Sequence, residues 1–164
     1  MASRPGTRVF WPLLLVVLLA DCTTKSVAVE ALSPPGEPHS VVGDVFRLTL
    51  VFNDRGAMGL PVGDGGRRAL GVIGLLISGG LFFWYRRAGR GDRWIAVTSA
   101  LLIAGAVGNA WQRIWSERGV VDFIDIGLGA HRFWTFNVAD VALTAAAGML
   151  FWIIARDPAA PESS

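Results

Sequence analysis

The chain has 164 residues, 52% of them hydrophobic, with a formal net charge of +2 and a single cysteine, and its mean hydropathy is +0.48. A soluble domain of this size needs a large polar shell, so this composition excludes one and points to an integral membrane protein. One cysteine allows no intramolecular disulfide, no basic run interleaved with aromatics suggests nucleic acid, and no nucleotide-binding glycine pattern or metal-ligand cluster calls for a cofactor or a metal.

A hydrocarbon core needs roughly 20 helical residues, and four segments supply them: about 9–29, 69–85, 94–111 and 138–155. The first span follows Arg4 and Arg8 and has two readings. Leu19-Ala20-Asp21-Cys22 is similar to a lipobox, the site of lipidation on cysteine, but Asp21 stands where Gly or Ala is usual. In a helix, Asp21 and Lys25 sit at i,i+4 on one face and neutralise each other, so a retained helix is the favoured reading. Cys22 has neither histidine near it in sequence and reads as a packing residue.

Residues 32–44 are rich in Pro and Gly and cannot form regular helix. In the following 45–52, Phe46, Leu48, Leu50 and Phe52 share one face at strand period, which predicts an amphipathic strand lying on lipid or on the helices. Asn53-Asp54-Arg55-Gly56 then reads as a polar turn.

The second and third spans contain no charge, and Arg86, Arg87, Arg90 and Arg93 crowd the loop between them. The other side carries as many basic residues spread over a longer stretch, so the positive-inside rule works by density. It places both termini in the cytoplasm and residues 30–68 and 112–137 on the outer face. The seven tryptophans fall near predicted helix ends, as expected of an interfacial belt. His39 and His131 are isolated and read as solvated loop residues.

The last third is the most informative. It contains Gly108-Asn109-Ala110-Trp111-Gln112-Arg113, then Val120-Val121-Asp122-Phe123-Ile124-Asp125, then Phe136-Asn137-Val138-Ala139-Asp140. Polar groups at the ends of apolar spans are costly and usually kept for function. The third span runs outward to Gln112 and the fourth inward from Asp140, so both positions lie at one depth.

These blocks resemble the signatures of the bacterial lipoprotein signal peptidases, the type II signal peptidases, which read Gly-Asn-x-x-Asp-Arg and Phe-Asn-x-Ala-Asp and supply one catalytic aspartate each. Asp21-x-x-Thr24-Lys25, Asn53 to Gly56 and the Val-Val-Asp-Phe-Ile-Asp block are similar to further family motifs. The resemblance implies a four-transmembrane-helix bundle, all-α apart from a small outer-face β-sheet, forming a single membrane domain over 1–164. It implies an aspartic endopeptidase that removes signal peptides from diacylglyceryl-modified prolipoproteins, with no cofactor. It further implies a monomer among membrane lipids, multi-pass in the cytoplasmic (inner) membrane, with its site at the outer face and lipid-modified signal peptides as partners.

Carried over position by position, the resemblance makes Asp140 one catalytic residue and puts Gln112 where the other is expected. Asp21, Lys25, Asn53, Gly56, Asn109, Arg113, Asp122, Asn137 and Ala139 line the substrate cleft, with Asn53 or Asp54 holding the family's asparagine position. A glutamine neither takes nor gives a proton at neutral pH. Two consequences are open. Either the chain is an impaired pseudopeptidase that binds lipidated signal peptides or membrane helices without cutting, with Gln112→Asp raising cleavage by about 10²-fold, or another carboxylate among Glu117, Asp122 and Asp125 replaces the missing one.

Overall fold

The computed structural model describes residues 5–55, 63–89 and 92–156; Gly56 lies outside them. In chain order the elements are α1 (Pro5–Ala31), β1 (Pro38–Val42), β2 (Phe46–Asn53), α2 (Gly63–Trp84) running into a π-helical turn at Tyr85–Gly89, α3 (Arg93–Trp115), β3 (Val120–Leu128), β4 (His131–Arg132) and α4 (Val138–Arg156). All four α-helices are long and apolar enough to cross a membrane. The strands form one antiparallel sheet in the order β1-β2-β3-β4.

Helix α2 begins before its apolar run and α3 ends beyond its own, and one side chain accounts for both. Helix α2 starts at Gly63 rather than near 69 because Arg67, only 2% exposed, has a use inside the bundle. Its guanidinium donates to the Arg113 carbonyl at 3.4 Å and to the Ser116 carbonyl. Those are last-turn carbonyls with no partner inside their own helix, so Arg67 carries α3 on to Trp115. Asp92 caps the other end of α3, accepting from the N–H groups of Trp94 at 2.7 Å and Ile95 at 3.1 Å.

Helix α3 is the central post and packs against α1, α2 and α4. Close approach is possible because the facing residues are small: Ala96, Ala100, Ala104 and Ala110 on α3 and Ala139, Ala142 and Ala146 on α4 are all buried. At one end of the bundle Phe10 stacks on Tyr85 with centroids 4.2 Å apart, over a cluster that includes Leu14 and Ile103. At the other end Leu50 of β2 and Val121 and Phe123 of β3 pack on Ala28 of α1 and on Leu32 just past its end. The predicted strand face is therefore laid on the helices, with Leu50 fully buried and Leu48 and Phe52 beside it. All seven tryptophans are exposed, from Trp152 at 44% to Trp111 and Trp134 at 60%, as rings at a membrane boundary would be.

Candidate active site

The site lies where the sheet meets the ends of α1, α3 and α4, and its local logic begins with Asn137. This residue precedes α4, and its side-chain oxygen accepts the N–H of Asp140 at 3.1 Å, while Asp140 Oδ2 accepts the N–H of Asn137 at 3.1 Å. That is a reciprocal capping box built from Asn and Asp, satisfying two donors that the first helical turn leaves free. The three-residue spacing within Phe-Asn-x-Ala-Asp therefore has a structural reason in addition to a chemical one.

Another of those free donors goes to α1. Asp21 Oδ1 accepts the N–H of Ala139 at 2.9 Å, and its Oδ2 receives Lys25 Nζ at 2.7 Å. Asp21 and Lys25 are 2% and 3% exposed, an ion pair affordable at depth because each charge is met by a partner and by further hydrogen bonds. Gly108 makes room for it: a Cβ there would stand 2.6 Å from Asp21 Oδ2. Helix α1 runs unbroken through Cys22, whose side is exposed.

Lys25 also donates to Asn109 Oδ1 at 3.0 Å, and Asn109 Nδ2 donates to Asp140 Oδ1 at 2.8 Å. From the sheet, Asn137 Nδ2 donates to Asp122 Oδ1 at 2.6 Å and to Asn109 Oδ1 at 3.1 Å. Asn53 Nδ2 reaches Asp122 Oδ2 at 3.0 Å. Asn53, not the exposed Asp54, is thus the residue of that turn that touches the site. Asp122 is 3% exposed. Burial, with the Asp140 charge adding to it, pushes its carboxyl up to about 6, against the opposing hydrogen bonds from Asn53 and Asn137 and the charge of Lys25.

Gln112 is engaged by the sheet. Its Oε1 accepts the N–H of Val121 at 3.0 Å, tying the end of α3 to β3 one residue before Asp122. Arg113 lies on the α2 side of α3, its Cβ among the atoms nearest Gly71 and its Nε without a hydrogen-bond partner. Of the other carboxylates weighed as replacements, Glu117 is exposed beyond the end of α3, and Asp125 is engaged at both oxygens by Arg132 Nε at 2.8 Å and Thr49 at 3.0 Å. A groove of about 820 Å³ runs between α1 and α3, with Lys25, Gln112 and Val121 among its lining residues and Trp111 and Trp115 at its side. Among the described residues, no three His, Cys, Asp or Glu side chains are grouped to hold a metal ion.

From the sequence, Gln112 stands at the expected catalytic position and Asp122 is one of three carboxylates weighed as a replacement; of those three, it is Asp122 that the structure brings onto Asn137. The available signal was its setting, since Asp122 is a lone carboxylate inside the apolar run Val120-Val121-Asp122-Phe123-Ile124.

Fold and site together define a multi-pass membrane protein with two carboxylates, Asp122 and Asp140, gathered on one asparagine. A family model described as signal peptidase (SPase) II matches residues 13–156, and the chain belongs to that family. It is 39% identical over 152 residues to a lipoprotein signal peptidase of Pseudomonas putida, covering 91% of this chain and 88% of that one. It is 40% identical over 140 residues to a lipoprotein signal peptidase of Synechococcus, covering 84% and 89%. A solved bacterial membrane enzyme, determined by the in meso method at 2.3 Å, shares the fold with a TM-score of 0.80 at 24% identity, covering 100% of this chain and 98% of that one.

Proposed function

We propose that this chain is an aspartic endopeptidase that removes the signal peptide of diacylglyceryl-modified prolipoproteins, and that Asp122 and Asp140 form its carboxylate pair. The observation that carries this reading is Asn137, which donates its side-chain N–H to Asp122 and its backbone N–H to Asp140. The raised proton affinity of Asp122 supplies the asymmetry such a pair needs. Asp140 accepts hydrogen bonds from Asn109 Nδ2 and from the backbone N–H of Asn137.

In this reading Asp140 takes a proton from water as the water oxygen bonds to the scissile carbonyl carbon, and Asp122 gives its proton to the carbonyl oxygen. In collapse, the proton on Asp140 passes to the leaving nitrogen, the carbon–nitrogen bond breaks, and Asp122 recovers its proton as the carbonyl re-forms. Gln112 takes no part in proton transfer and acts as a backbone anchor, a task an amide oxygen performs as well as a carboxylate. The arginine density at 86–93 supports cytoplasmic termini and a site on the outer face.

The test is cleavage of a diacylglyceryl-modified model prolipoprotein by four chains in parallel. Asp122→Asn and Asp140→Asn should each lose at least about 10²-fold in rate. Gln112→Asp should stay within a few-fold of the parent. A parent that is inert until Gln112→Asp is introduced would show that position 112 belongs to the pair.

A further inference from the structure

We propose that Lys25 is a positioning residue for the reaction: held by Asp21, it fixes the amide of Asn109 so that its NH₂ and not its oxygen faces Asp140. This rests on the carboxylate pair proposed above. A carboxamide has nearly the same shape in its two orientations, so something outside it must choose between them. An ammonium group has only donors. At 3.0 Å from Lys25 Nζ, Asn109 Oδ1 accepts, and Asn137 Nδ2 gives the same oxygen a second donor at 3.1 Å. The flipped amide would set its NH₂ against two donors and its oxygen 2.8 Å from a carboxylate oxygen, losing three hydrogen bonds at once.

The chain of contacts runs from α1 through α3 to α4, over sequence separations of 84 and 31 residues. Asp21 gives it a fixed origin, because the same carboxylate that binds Lys25 accepts the Ala139 N–H in the first turn of α4. Lys25 and Asp140 are thereby referred to one helix end. Lys25 acts on Asp140 through Asn109.

The double variant Asp21→Asn, Lys25→Met removes both buried charges together and leaves an acceptor for the Ala139 N–H, so it tests the relay without stranding a charge. Cleavage of the diacylglyceryl-modified model prolipoprotein should show kcat lowered by about 10²-fold with KM within about twofold, the effect of a misaligned reacting group. Adding Asn109→Ala to it should cost no further kcat, because both changes interrupt one path.

Lys25→Cys in a Cys22→Ser background, aminoethylated to restore an amine of lysine length, should recover most of the lost kcat relative to the similarly treated Cys22→Ser chain. An undiminished kcat in the double variant, or a further full loss on adding Asn109→Ala, overturns the relay while Asp140→Asn remains inactive. An active Asp140→Asn chain overturns the carboxylate pair and the relay with it.

Discussion

Asn137 and Asp140 cap one another across the first turn of α4, each side chain accepting the other's backbone N–H at 3.1 Å. Asn137 also donates to the sheet carboxylate Asp122 at 2.6 Å, so the helix cap and the polar cluster share a residue. The arrangement makes it possible to separate the cost of losing a cap from the cost of losing a site.

Asn137→Ser should make that separation. Serine caps a helix nearly as well as asparagine, whereas alanine costs about 1 kcal/mol. Serine is too short to carry the N–H that reaches Asp122 at 2.6 Å. Asn137→Ser should therefore melt above Asn137→Ala, with both below the parent because the buried bonds to Asp122 and Asn109 are lost, while both lose most of their cleavage activity. Thermal melts in detergent beside the cleavage assay read the two effects; an active Asn137→Ser chain would show that the bridge to Asp122 is dispensable.

The carboxyl of Asp122, raised to about 6, sets a pH dependence with a definite sign. The proposed acid must hold its proton, so kcat/KM should fall as pH rises above about 6. Asn53 stabilises the ionised form, so Asn53→Ala should carry that limb to higher pH. Stability follows the same group. The folded chain binds this proton more tightly than the unfolded chain, whose value is near 3.8, so the contribution is full below that value and is lost as pH rises through about 6. A limb that moves down in Asn53→Ala would remove Asp122 from the role of acid.

Gly108→Ala places a methyl where Asp21 Oδ2 stands, the built Cβ falling 2.6 Å from it. Either the ion pair or the packing of α1 on α3 must give way, and overpacking of this kind costs about 1–3 kcal/mol. The melting temperature should drop by several degrees. Gly148→Ala, where a Cβ meets nothing within 4 Å, should leave it unchanged and serves as the control.

Local chemistry determined much of this protein before any fold was known. Four apolar runs of membrane length, the tryptophans at their ends, the alternation in 46–52 and the pairing of Asp21 with Lys25 all depend on neighbours within a turn or two of chain, so they are written in spacing. The capping partnership of Asn137 and Asp140 belongs with them: its three-residue spacing was visible, though its structural meaning was not.

Which carboxylate stands beside Asp140 was decided elsewhere. Asp122 comes from a strand, and its place follows from the register of β3 on β2, from the Gln112 anchor at Val121 and from Arg67 ending α3 where it does. None of these has a local signature. A one-residue slip of β3 would turn Asp122 to the opposite face, and that register is held by packing of Val121 and Phe123 on Ala28 and Leu32 at the end of a distant helix. Position 112 stands out in the sequence because it carries the unusual residue, and only the tertiary structure shows the backbone N–H of Val121 that its side chain accepts.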